Sequence, residues 1–114
     1  MTEIAYKIVD AADWRAAVAE GRYEGAPVDL ADGYIHMSTQ DQLAETARKH
    51  FAGQSDLLLL SVDLGRFDGE LVWEPSRGGA LFPHLYAPLP VAAVTALRPF
   101  AVTDAGEMRF EDGR

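Results

Sequence analysis

Residues 56–63 read Asp56-Leu57-Leu58-Leu59-Leu60-Ser61-Val62-Asp63, a continuous apolar run of strand length between two aspartates. Side chains alternate between the two faces of a strand, so an unbroken apolar run has to be covered on both. It predicts a central strand with packing layers on either side, which the rest of the chain must supply. Residues 4–9 read as a first strand, with Ile4, Tyr6 and Ile8 on one face and Ala5, Lys7 and Val9 on the other. Asp10 suits the N-cap of a helix over residues 11–20. That helix has an apolar stripe of Trp14, Ala17 and Val18 and a stop at Gly21. Residues 22–30, with Gly25 and Pro27, read as a loop.

The stretch from Asp32-Gly33 onward is a strand that runs into a capped helix. Ile35 and Met37 point into a core, and Tyr34, His36 and Ser38 point the other way. Thr39 and Gln42 have capping-box spacing for a helix over residues 40–51, with Leu43, Ala47 and Phe51 as its buried stripe and Gly53 beyond its end. Arg48, Lys49 and His50 fall in its last turn, where cations suit the helix dipole; His50 reads as that and nothing more. Residues 70–74 form a short strand closed by Pro75. Ser76-Arg77-Gly78-Gly79 is a loop, expected to be mobile because it has no apolar anchor. Residues 81–86 form another short strand, with Pro83 placing it at a sheet edge, and residues 91–102 are strand-like with Pro99 limiting the far end. Residues 103–114 are a polar tail or a short edge strand. The order β, α, β, α, then mostly β predicts an α+β domain with two early helices on antiparallel or mixed sheet.

Composition narrows the function. A length of 114 residues suits one domain, 1–114, and no apolar run approaches the roughly 20 residues of a membrane helix. The start, Met1-Thr2-Glu3-Ile4, lacks a signal peptide's basic and apolar regions, so a cytoplasmic location is expected. The absence of Cys removes disulfides and thiolate chemistry. A net charge of −8 argues against bulk nucleic-acid or anionic-membrane binding, although a local basic group can still hold a phosphate.

Several polar residues sit among apolar ones, each with a functional and a structural reading. His36 and Ser38 face a ligand, or one is a satisfied buried histidine and the other part of a helix cap. Glu74, on a strand of Leu71, Val72 and Trp73, is a catalytic carboxylate or half of an ion pair with Arg77. His84, bracketed by Phe82, Pro83 and Tyr86, is a pocket-wall group or a core residue. Ser76, Arg77 and the two glycines could cradle a phosphate through backbone N–H groups. His36, His50, His84 and Glu74 match no metal-ligand spacing, so no metal is expected, and there is no G-x-S-x-G nucleophile elbow.

The residues Gly33-Tyr34-Ile35-His36-Met37-Ser38-Thr39, the Leu-rich strand ending in Asp63, Trp73-Glu74-Pro75 and Leu81-Phe82-Pro83-His84-Leu85-Tyr86 carry a resemblance. Over residues 3–100 the chain resembles the domain-of-unknown-function family 952. That resemblance implies an ADP-ribosyltransferase-like fold, a split and strongly curved β-structure that holds a nicotinamide dinucleotide in a cleft between sheets. Ile35-His36-Met37-Ser38 is similar to the Val-His-Leu-Ser signature of RNA 2′-phosphotransferases. The first-strand signature falls at Tyr6-Lys7-Ile8, with Lys7 where related sequences often carry His. A Lys binds phosphate or carboxylate as a point charge without imidazole geometry.

The resemblance implies a nucleotide or phosphorylated ribose around His36, with NAD as the candidate cofactor. His36 would orient a ribose hydroxyl, and Glu74 or His84 would handle the proton or the developing positive charge. Tyr34, Ser38, Thr39 and Tyr86 would contact the ligand, while Lys7 and Arg77 neutralise phosphate. Lys7 is expected near His36, satisfied by an anion or by a carboxylate such as Glu74. The other readings are a non-catalytic small-ligand module on the same fold and a structural or interaction domain.

Overall fold

The computed structural model describes residues 3–75 and 79–111. The chain is a mixed α/β domain of antiparallel sheets with few helices. In order come β1 (Ile4–Asp10), α1 (Ala11–Glu20), β2 (Arg22–Tyr23), α2 (Pro27–Asp32), β3 (Ile35–His36), α3 (Gln40–Phe51) and β4 (Leu57–Asp63). They are followed by β5 (Leu71–Pro75), β6 (Leu81–Leu85), β7 (Leu89–Pro90), β8 (Val94–Val102) and β9 (Met108–Phe110). One sheet has the order β1-β4-β8-β9, a second β3-β6-β5, and β2 pairs with β7.

The Leu-rich run is an inner strand covered on both faces, as its sequence requires. Leu58, Leu60 and Val62 pack with Ala5, Val9, Trp14, Ile35, Met37 and Leu85 in one core. Leu57 and Leu59 pack on the other face with Ile8, Leu43, Ala47, Phe100 and Val102. The flanking helices are set by their caps. Asp10 Oδ1 accepts the Ala12 N–H at 2.8 Å, and Gly21 closes α1 at φ 87°. Gln42 Oε1 accepts the Thr39 N–H at 2.9 Å at the start of α3. Within α1 the stripe is narrower than expected: Trp14 and Ala17 are buried but Val18 is exposed.

Three expectations are corrected. Residues 22–30 are not a loop: they hold β2 and most of a third early helix, α2. A proline at the first helical position loses no hydrogen bond, so Pro27 opens α2 rather than breaking it. Pro83 lies in the middle strand of its sheet, not at an edge. Pro99 lies inside β8, which runs on to Val102. Both prolines use one device. In an antiparallel strand a residue's N and C=O point to the same neighbour. The Pro83 carbonyl accepts from Met37 just past the end of β3, and the Pro99 carbonyl accepts from Glu111 just past the end of β9. Each missing N–H thus faces a ladder that has already stopped. The expected tail contains the edge strand β9.

The two larger sheets share a core and are joined by a backbone tie. Tyr6 and Ser38 exchange backbone hydrogen bonds of 2.8 and 2.9 Å, tying β1 to the residue two positions beyond β3. Beside this tie the sheets part, and α2 and α3 close the space between them.

Candidate functional site

The space between the sheets is a cavity of about 610 Å³. That volume falls in the range of small-molecule sites. Tyr6, Lys7 and Ile8 of β1 line one side, and Phe82 and His84 of β6 another, with Tyr34, His36, Met37 and Ser38 between. Pro27, Val28 and Asp32 contribute from α2, and Leu43, Thr46, His50 and Phe51 from α3. The wall mixes Leu43 and Phe51 with Thr46 and His50 on α3, and is polar around His36 and His84.

Those histidines are directly opposed in the β3–β6 ladder. Alternation puts Tyr34, His36, Glu74, His84 and Tyr86 on one face of the three-stranded sheet. Tyr34 stacks on His84 with ring centroids 4.1 Å apart, and lies 4.6 Å from His36 and 5.1 Å from Tyr86. The His36 and His84 rings are 5.5 Å apart, edge to face.

Both imidazoles are held by carboxylates, but differently. His36 Nδ1 is 2.6 Å from Asp29 Oδ1 and its Nε2 is 2.9 Å from Asp32 Oδ2. A carboxylate only accepts, so both contacts are hydrogen bonds when the ring carries both protons. His84 Nδ1 lies 2.7 Å from Glu74 Oε1, which also accepts the Tyr86 hydroxyl at 2.8 Å. The bond from His84, and next that from Tyr86, holds the Glu74 carboxyl below its ordinary range. The reciprocal effect of Glu74, with desolvation second, pushes the Tyr86 phenol up to about 12.

Asp29 organises the other half. Its side chain is 1% exposed and sits 3.0 Å from the Lys7 ammonium. It also accepts the backbone N–H of Ala26 at 2.7 Å and of His36 at 3.0 Å. Burial opposes ionisation most strongly. The bond from His36, the charge of Lys7 and the two backbone N–H groups outweigh it and hold the carboxyl well below the ordinary range. Burial lowers the Lys7 ammonium, and Asp29 only partly offsets this.

The residues singled out from the sequence fall into three groups. Lys7, Tyr34, His36, Ser38 and His84 line the cavity. Glu74 and Tyr86 stand behind His84 and fix it. Thr39 lies at the head of α3 and is not among the lining residues, and Arg77 lies outside the described residues. Ser38 is buried, with its hydroxyl 2.9 Å from that of Thr46. The carboxylate expected beside Lys7 is Asp29 rather than Glu74, because α2 brings Asp29 over β1. Glu74 bonds His84 and Tyr86, its neighbours on the same sheet face, and the ion pair expected with Arg77 lies outside the described residues.

Sequence reasoning missed Asp29, Asp32, Thr46, His50, Phe51 and Phe82 as site residues. Leu43, Thr46 and His50 stand at i, i+3 and i+7, a helical stripe that was there to be read. Pro27 followed by an acid two residues on is a helix start that would have placed Asp29. Among the described residues no three His, Asp or Glu side chains converge as metal ligands do.

The sequence profile of a family described as protein of unknown function (DUF952) matches residues 8–97. The chain belongs to the DUF952 family. This DUF952 domain is similar to protein CC0527 of Caulobacter crescentus. A crystal structure of CC0527 is 49% identical over 93% of each chain, with a TM-score of 0.88. The crystal structure of a CC0527 double mutant is 48% identical over 93% of each chain, also at 0.88. A solution structure of CC0527 is 50% identical over 93% of this chain and 90% of that one, at 0.80. No curated protein matches the DUF952 domain described here. No helix is long and apolar enough to cross a membrane among the described residues.

Proposed function

We propose that the chain is an ADP-ribosyltransferase-like domain that holds a nucleoside-type ligand, a planar ring bearing a hydroxylated sugar, between its two sheets. The observation that carries this is the cavity's composition. Aromatic lining from Tyr6, Phe51 and Phe82 accompanies two carboxylate-held imidazoles. Aromatic walls suit a ring, and a few oriented polar groups suit sugar hydroxyls. The split between the sheets at the Tyr6–Ser38 tie, with Ile35-His36-Met37-Ser38 running along it, supports the fold reading. Lys7 is already neutralised by Asp29, so the ring and sugar carry the proposal rather than a phosphate.

The test is an amide-resonance titration with adenosine, ADP-ribose and NAD, comparing wild type with Thr46→Phe, which fills the cavity from α3. Saturable shifts at Tyr34, His36, Thr46 and His84, lost in the variant while it stays folded, are the expected result. Tighter binding of ADP-ribose than of adenosine would restore the phosphate reading. Nicotinamide release from NAD would make the domain an enzyme acting at a ribose. No shift with any of the three refutes the proposal.

A further inference from the structure

We infer that His84 Nε2 is the atom that receives a hydroxyl of the bound ligand, which makes the site selective for hydroxyl-bearing ligands. The inference deepens the reading of the cavity as a nucleoside site and rests on it. His84 is 4% exposed, yet it lines the cavity. Its Nδ1 is committed to Glu74, which is not a lining residue, and one ring face is covered by Tyr34. Because the Glu74 carboxylate only accepts, Nδ1 must carry the proton, and in the neutral ring Nε2 then holds a lone pair. Among the described residues no group hydrogen-bonds that nitrogen.

A buried polar atom without a partner calls for an explanation. With Nδ1 turned to Glu74 and His84 lining the cavity, the opposite ring edge is the one left for a ligand, and a donor there supplies the missing bond. His36 does not fill this role, because carboxylates engage both of its nitrogens.

The same geometry fits His84 as a proton acceptor. Taking the hydroxyl proton breaks the ligand O–H bond and forms Nε2–H. The resulting imidazolium lies against the Glu74 carboxylate, and the negative charge stays on the ligand oxygen. Glu74 is then a positioning residue, holding the ring through Nδ1, with Tyr86 fixing Glu74 in turn.

The experiment is a two-bond proton–nitrogen correlation on the histidine rings of the full chain, first free and then with adenosine. 2′,3′-Dideoxyadenosine, which lacks both vicinal hydroxyls, is the comparison ligand. In the free protein, at a pH where the His84 ring is neutral, the expected tautomer carries its proton on Nδ1. Adenosine shifts Nε2, and the dideoxy compound binds at least about tenfold more weakly, the loss for one net hydrogen bond near the top of the usual range. His84→Phe is expected to remove that preference. Glu74→Gln is expected to mix the tautomers and weaken adenosine while leaving His36 signals in place. Adenosine binding without movement of Nε2, or equal binding of both compounds, leaves the proposed function standing and overturns this inference. A free-protein tautomer protonated on Nε2 overturns it directly. No binding of adenosine overturns both.

Discussion

Asp29→Asn is the substitution that asks most of this structure. Asp29 is enclosed, and both its oxygens face donors: Lys7, Ala26 N–H, His36 N–H and His36 Nδ1. An amide keeps the shape but turns one oxygen into a donor. If the NH₂ replaces Oδ2 it meets Lys7 and the Ala26 N–H. If it replaces Oδ1 it meets both His36 donors. Either way a backbone N–H loses its acceptor, at about 1–3 kcal/mol, and the Lys7 ammonium is left uncompensated. Breaking a buried ion pair from one side costs about 3–5 kcal/mol. That is a large share of the roughly 5–15 kcal/mol that holds an ordinary domain folded.

Urea unfolding at neutral pH should therefore show a midpoint loss equivalent to about 3–5 kcal/mol with an unchanged m value. Lys7→Met removes the stranded charge. The double variant should be less destabilised than the sum of the singles, with a coupling of about 1–3 kcal/mol. The pH dependence has a definite sign. The folded carboxyl is lowered from 3.8, so between that value and its folded one the unfolded chain binds the extra proton, and stability rises with pH. The Asp29 contribution is complete above about pH 4 and is lost on further acidification, so the gap between wild type and Asp29→Asn should narrow there. Lys7 is also lowered, from 10.5, so it too makes stability rise with pH, in a window that ends near that value. A loss below about 1 kcal/mol, or strict additivity with Lys7→Met, would refute the buried-pair account.

Gly25→Ala should cost about 2–4 kcal/mol in the same assay. Gly25 has φ +125°, and an added Cβ would sit 2.8 Å from Asp29 Cβ. Gly21→Ala, at φ +87° with open space, should cost only about 1–2 kcal/mol. Phe100→Ala, at a side chain with 0% exposure beneath α3, should cost about 3–5 kcal/mol by thermal or urea unfolding. In Glu74→Gln the Tyr86 phenol should titrate well below its value of about 12, towards the ordinary 10.0, as followed by phenolate absorbance.

What the sequence made legible was local. Asp10 and Gly21 bound α1, the Leu-rich run demanded two packing layers, and alternation put His36 and Ser38 on the cavity side of Ile35. Proline was misread because its effect depends on which neighbour its nitrogen faces, and that is a property of the whole ladder. At Pro83 and Pro99 the neighbouring strand stops in time, so neither strand suffers. The ion pairs were illegible for a related reason. Lys7 and Asp29 are 22 positions apart, and nothing local ties them. Glu74 and His84 were both suspected, but their hydrogen bond needs the β5–β6 register, in which Glu74 faces Phe82 and Val72 faces His84.

Besides lining the cavity, His36 fastens the fold, and the reason lies in α2. Of its six residues only Asp29 is buried, while Val28 and Leu30 are exposed, so no apolar anchor holds this helix. It is flanked by Gly25, just before its N-cap Ala26, and by its C-cap Gly33, both at positive φ, conformations in which glycine carries no steric cost. The helix therefore keeps its place at the cavity wall chiefly through Asp29 and Asp32, gripped by Lys7 and His36. A ligand that fits the cavity as it stands leaves those bonds intact. One that must push α2 aside has to break them, and about 3–5 kcal/mol taken from binding is a loss of roughly two to four decades in Kd. The pair thereby sets a size limit on what enters, and the selectivity for small ligands should relax in Asp29→Asn. Larger nucleotides such as NAD should then gain on adenosine in that variant. If the order of affinities is unchanged while the helix is demonstrably looser by amide exchange, α2 is wall and not limit.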